Sequence, residues 1–469
     1  MYLARRSRLS GRALGLHRQK GGRMSTVTKT IIHLRNVMTR SEKLEHSRFE
    51  GEGLLGHTQP LTQSALKDRG GYRLIIAWRV LLETVLSLIG LLHVSAALRQ
   101  HPRRKRIVFQ AYSAHLAQFF TPIIAKLQQE VPELDIHFIV LPHPHFSFSS
   151  LRALCTFARD RLKVPSRNVR FFWQVLWQKY DLLVCTDVYA RFPLRHTKKV
   201  LLKHGVGVTS RMLTRHPLRK TIFDFDLVLV SGETDCDLLR RFCAVGFAPE
   251  KVIAVGVPYL DCLQTCPETR DAYLRRMSLE PYKRVVLVAP SWRGLQVIQA
   301  LEPDYFDDLI TVVRELDLQV IIKMHACSFN EAMVQGEDWA AKLRRFAQPG
   351  VGIDYDVDDV PALLHADILI TDISSRAFNF MLLDKPVITV FPDDLFVDQF
   401  DRERIQLMRQ GSFLARSPTE VKSIIAHRLI RGDPLHPERR RLLQRCFANP
   451  GRATEVVVEH LLRHIHEGV

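Results

Sequence analysis

The stretch at residues 365–394, HADILITDISSRAFNFMLLDKPVITVFPDD, sets the fold class. DILITD (367–372) and PVITVF (386–391) are short apolar runs rich in β-branched residues, which favours strands over helices. Between them Phe378, Phe380, Met381 and Leu382 mark a helix that opens at Ser374 or Ser375. A strand, a helix and a second uninterrupted apolar strand form the repeating unit of a parallel sheet covered on both faces.

The same alternation extends outward in both directions. RVVLVAP (284–290), QVIIKMH (319–325) and VGIDY (351–355) precede it. An earlier series holds RIVFQAY (106–112), LDIHFIVL (134–141), DLLVCTD (181–187), KVLLKHG (199–205), DLVLVSG (226–232) and KVIAVGV (251–257). The prediction is an α/β protein of two Rossmann-like, doubly wound domains with an N-terminal basic and amphipathic helical extension. Its expected limits are a basic, largely disordered tail at 1–70, an amphipathic helix within 71–105, and a first domain at 106–257. A linker at 258–283, a second domain at 284–435 and C-terminal helices at 436–469 follow. The helix at 452–468 presents Val456, Val457, Leu461, Leu462 and Ile465 on one side.

Composition narrows the function. The 469 residues are 46% apolar and 25% charged, which excludes a wholly disordered or collagenous chain. The net charge is +18, and residues 1–105 carry +14 of it. A near-neutral body behind a basic front argues against an enzyme with a nucleic-acid groove through its core. It suits an arm that meets an anionic membrane surface. Residues 72–98 repeat apolar side chains at helical spacing, with Arg79 and Glu83 on a narrow polar stripe. Burying those two charges at mid-bilayer would cost about 2.5–3.5 kcal/mol each, so an interfacial helix or one packed internally is expected instead of a span. Met24 is an alternative start, which would make the first 23 residues extraneous. The eight cysteines form no CxxC and no zinc-like pairing with histidine, so no metal and no cofactor are predicted.

In doubly wound folds ligands sit at the carboxyl ends of strands, and chemistry-bearing residues recur there. Lys203, His204 and Gly205 follow one strand; a tip imidazole can take a proton near neutral pH or merely fill a turn. Ser231, in the next such loop, reads as structural. Ser291 and Arg293 lie in VAPSWRG (288–294), where a guanidinium can grip two phosphate oxygens. Lys323 and His325 end a further strand and suit a leaving phosphate. Thr371, Asp372, Ser374 and Ser375 close the opening stretch; a serine cap there frees helix-start amides for an anion.

Taken together these motifs resemble a family, the CDP-glycerol glycerophosphotransferases of teichoic-acid and capsule polymer synthesis. TDISSRAFNFMLLDKPVITV is similar to their TDYSSxxFDFxxxxKP, VAPSWRG to APTWR, KHGVG to their HG motif, GVPYLD (256–261) to GxPRxD, and KMHA to RxHP. The resemblance runs in register over roughly residues 106–400. Tyr259, Ala326, Ile373 and residues 206–209 depart from the pattern. The resemblance implies a GT-B fold, no metal, and attachment to the cytoplasmic face of a bacterial membrane. It also implies transfer of glycerol phosphate or a related polyol phosphate from a CDP-alcohol to a lipid-linked or polymeric acceptor. His204 and His325 become the expected catalytic residues. Lys203, Gly205, Ser291, Arg293, Lys323, Thr371, Asp372, Ser374 and Ser375 become the expected diphosphate ligands. Two alternatives stay open on the same fold: a glycosyltransferase using a UDP- or GDP-sugar, and a non-catalytic nucleotide-binding homologue.

Overall fold

The structure is a computed structural model. It describes residues 104–140, 148–171, 174–175, 178–188, 194, 197–208, 210–213, 221–242, 248–291, 305–329, 338–390, 399–429 and 432–466. The expected tail at 1–70, nearly all of 71–105 and Arg293 lie outside these residues.

Two parallel sheets organise the described chain. In the first, β1 (Arg106–Ala111), β2 (Asp135–Val140), β3 (Val169–Phe171), β4 (Leu182–Cys185), β5 (Lys198–Leu202), β6 (Leu227–Val230) and β7 (Val252–Ala254) stand in the order β3-β2-β1-β4-β5-β6-β7. In the second, β8 (Val285–Val288), β9 (Gln319–Ile322), β10 (Val351–Ile353), β11 (Ile368–Thr371), β12 (Val387–Val390) and β13 (Phe413–Ala415) follow β10-β9-β8-β11-β12-β13. Each order reverses once, between β1 and β4 and between β8 and β11. A crevice opens at such a switch point, beyond the strands' carboxyl ends.

The apolar runs are continuous because both faces of each sheet are buried. Ile107 and Phe109 of β1 pack with Ile123 and Leu127 on one side, while Val108 joins Tyr180, Phe225 and Leu239 on the other. Leu287 and Leu369 meet Phe378 and Tyr273 on one face of the second sheet, while Val286 and Ile370 meet Leu309 and Val313 on the other. Each fully buried Val, Leu, Ile or Phe contributes roughly 1.5–3 kcal/mol.

Residues 258–283 carry two short helices, Pro258–Asp261 and Arg270–Arg276. Their Tyr259, Leu260, Tyr273 and Leu274 are buried in the second lobe's core, which also takes in Phe119 and Val206 from the first lobe. The chain then returns. Val457, Leu461 and Ile465 of the helix Ala453–His466 fill the first lobe's core beside Ile123 and Leu127. Asp261 starts that helix by accepting from the Thr454 amide and hydroxyl, both at 2.7 Å. Gly256 holds φ at +94°, and a Cβ there would stand 2.2 Å from the Ala448 carbonyl oxygen. GVPYLD is therefore the seat on which the C-terminal segment closes. Among the described residues no helix is long and apolar enough to cross a membrane.

Candidate active site

Three histidines from the ends of three strands converge between the lobes. His115 follows β1, on a short helix capped by Ser113, whose Oγ accepts from the Leu116 amide at 3.3 Å. His204 follows β5 and His325 follows β9. The rings of His115 and His325 meet edge to face with centroids 4.8 Å apart. Phe119 lies beneath the group, 6.0 Å from His115, 5.3 Å from His204 and 5.0 Å from Tyr259. On the facing side a Cβ placed on Gly205 would stand 3.4 Å from Ser375 Oγ. The His204 loop of one lobe thus abuts the Ser375 turn of the other.

Hydrogen bonds fix the tautomers. His204 Nδ1 lies 2.7 Å from the Thr186 carbonyl oxygen. A carbonyl only accepts, so Nδ1 carries the proton and Nε2 keeps a lone pair. His325 is set the other way, because its Nδ1 accepts from the Cys327 amide at 3.1 Å and Nε2 bears the proton. Burial lowers the pKa of His204, although Asp187 and the bond to Thr186 oppose it. Burial also holds His325 well below the ordinary range, and neighbouring His115 and Arg376 add to this. Both rings are neutral near pH 7, one with a basic nitrogen and one with a donor.

The charges beneath them form one buried network. Arg376 binds Asp359 through two bonds of 3.0 and 2.9 Å and donates to the Lys323 carbonyl at 3.3 Å. Lys323 Nζ sits 3.0 Å from Asp354 Oδ2 and 2.7 Å from the Asp356 carbonyl oxygen, and is only 2% exposed. Burial alone would raise Asp359, but Arg376 and Lys323 bring its pKa to about 2. Tyr259 links this network to the first lobe by accepting from the Asp359 amide at 2.8 Å.

The other expected ligands fall into distinct settings. Lys203 is buried, with its ammonium on Asp235 at 3.3 Å and on the Gly205 carbonyl. Asp235 also accepts from Gly207 N at 2.7 Å and Ser231 Oγ at 2.8 Å, so these groups shape the glycine turn. Lys203 and Lys323 are thus both engaged by carboxylates and carbonyls of the chain itself. Thr371 is likewise turned inward, donating to the Ala289 carbonyl at 2.7 Å. Asp372 bridges the switch point of the second lobe by accepting from Ser291 N at 3.0 Å and Ser291 Oγ at 3.1 Å. Burial pushes Asp372 up to about 6 against those bonds.

Of the two serines expected as caps, it is Ser374 whose hydroxyl takes that place. Ser375 is itself helical, with φ −62° and ψ −16°, and its side chain makes no cap bond. Ser374 Oγ accepts from Arg376 N at 3.3 Å instead. The helix Arg376–Met381 has only six residues, too few for a strong dipole at its start.

The strand-tip rule missed His115, Asp359 and Arg376. His115 lay within its reach, in SAHLAQF just after the first strand. Nothing in the sequence marks Asp359 and Arg376 as partners, since the pair forms across 17 residues of helix, strand and turn.

Two doubly wound parallel lobes with imidazoles from both meeting at their strand ends define a GT-B-like α/β architecture. Residues 92–409 match the family described as CDP-Glycerol:Poly(glycerophosphate) glycerophosphotransferase, and the chain belongs to that family. It is 31% identical over 199 residues to the teichoic acid poly(ribitol-phosphate) polymerase of Bacillus spizizenii, covering 40% of this chain and 29% of that protein. It is 24% identical over 269 residues to the teichoic acid glycerol-phosphate primase of the same organism, covering 56% of this chain and 63% of that one. The chain therefore spans less than two thirds of either relative. Among solved structures it resembles the wall teichoic acid polymerase TagF with a TM-score of 0.55 and 16% identity, over 84% of this chain and 97% of that one. A putative UDP-N-acetylglucosamine 2-epimerase from Listeria monocytogenes shares the fold at a TM-score of 0.52 and 12% identity, over 78% and 98% of the two chains.

Proposed function

We propose that this chain transfers glycerol phosphate, or a related polyol phosphate, from a CDP-alcohol to a hydroxyl on a lipid-linked or polymeric acceptor in cell-surface polymer synthesis. The acceptor hydroxyl gives its proton to His204 Nε2, and its oxygen bonds to the donor's β-phosphorus. The bond from that phosphorus to the bridging oxygen breaks, and CMP leaves with the electron pair. His325 Nε2–H steadies the charge that develops on the phosphates, with Ser375 and Arg293 as further ligands. The basic residues before 106 would hold the enzyme on the anionic cytoplasmic face of the membrane.

The observation that carries this reading is the opposed tautomers of His204 and His325. One lobe supplies a nitrogen that can accept a proton and the other a ring N–H that can donate, as in-line transfer between a nucleophile and a leaving group needs. Family membership supplies the substrate class. Melting of the full chain with added nucleotides tests it, because a ligand at 100 times its Kd adds about 2.7 kcal/mol to a native state that alone binds it. CMP and CDP are expected to raise the Tm while UDP and GDP leave it unchanged. A shift with UDP or GDP alone would favour sugar transfer and contradict the proposal.

A further inference from the structure

The mechanism above leaves one imidazole of the cleft without a task. His115 stands at the carboxyl end of β1, the strand beside the switch point of the first lobe, where doubly wound folds place their ligands. Its Nδ1 lies 3.1 Å from Gln118 Nε2, one turn along. That amide nitrogen only donates, so His115 Nδ1 holds a lone pair and Nε2 bears the proton. Nε2 has no hydrogen-bond partner among the described residues, and it is absent from their sealed, unpartnered polar atoms. Gln118 is only 3% exposed, and its Oε1 is a sealed atom with no partner. The bond from this buried glutamine orients the ring. Burial brings the pKa of His115 to about 4, so the ring stays a neutral donor across the physiological range. His115 belongs to the first lobe and touches His325 of the second, so the two Nε2–H donors belong to rings that meet where the lobes join.

We propose that His115 is a third substrate-facing imidazole, whose Nε2–H donates to a non-bridging oxygen of the phosphoryl group in transfer. It rests on the phosphotransfer reading above and assigns the first lobe a share of the charge stabilisation. In-line attack gathers charge on the equatorial oxygens of the transferred group, and a donor from each lobe would hold them from two sides.

The test is CMP release from CDP-glycerol by the full chain with a glycerol-phosphate-tipped acceptor, comparing wild type, His115→Ala, His115→Gln, His115→Phe and His204→Ala. Loss of one such donor is worth about 10²–10³ in kcat, so His115→Ala should fall by that factor with KM for CDP-glycerol moved less than about threefold. His115→Gln supplies an amide donor and should recover at least about tenfold of the loss. His115→Phe keeps the ring contact without a donor and should recover none. Rescue by Phe in place of Gln, or a His115→Ala kcat within about threefold of wild type, would overturn the proposal. If wild type is active and His204→Ala inactive while His115→Ala is normal, only this inference falls. If wild type releases no CMP, the phosphotransfer reading falls and takes this inference with it.

Discussion

Arg376 shows how a single residue can decide the ground on which a site stands. Its guanidinium is buried with two bonds to Asp359, and its third contact is the carbonyl of Lys323, two residues before His325. Removing one partner of such a pair leaves a charge in a medium that solvates it poorly, at about 3–5 kcal/mol. Arg376→Met should therefore lower unfolding stability by that amount in urea, whereas a loss below about 1 kcal/mol would mean that Lys323 alone neutralises Asp359. The same network explains why residue chemistry was only half legible. A lysine at a strand tip reads as a phosphate ligand, yet Lys203 and Lys323 are held by Asp235 and Asp354, carboxylates 32 and 31 residues away along the chain. Sequence shows residue type and strand end. It does not show which cation has already found its anion.

At the scale of elements the sequence was more open. Continuous apolar runs announced strands with two buried faces, and eleven such runs coincide with β1, β2 and β4–β12. The two that escaped, β3 and β13, are three-residue edge strands, as are β7 and β10, whose runs stand out; Arg170 breaks the apolar run of β3, and Ser412 and Arg416 close in on that of β13. GVPYLD carries a similar lesson. It entered only as a motif of the family resemblance, and in the structure Gly256 and Asp261 serve the returning C-terminal segment. Asp261 accepts from the first amides of the helix Ala453–His466, a capping arrangement worth about 1 kcal/mol. Asp261→Ala should lower stability by about 1–2 kcal/mol in urea while leaving the Kd for CMP unchanged. A loss of nucleotide affinity without a loss of stability would contradict this purely structural role.

On the scale of the whole molecule, two sheets of the same winding present their carboxyl ends to one another, and chemistry gathers where they meet. His115 and His204 come from one lobe, His325 and Ser375 from the other, with Phe119 and Tyr259 packed between. Burial in the cleft lowers the pKa of its imidazoles, and this sets the direction of the pH response. The working form of His204 is the unprotonated one, and burial depresses its pKa. Turnover should therefore persist as pH drops below 6.5, the value of an unperturbed histidine, and fail only where the ring takes up a proton.

The most direct measurement is the pH profile of CMP release from CDP-glycerol, made with wild type and His204→Ala. The wild-type rate should be level near neutrality with an acid limb below pH 6.5, and the variant should be slower by about 10²–10⁴ and lack that limb. A variant that turns over CDP-glycerol at the wild-type rate, with the acid limb intact, would contradict the assignment of His204 as the proton acceptor.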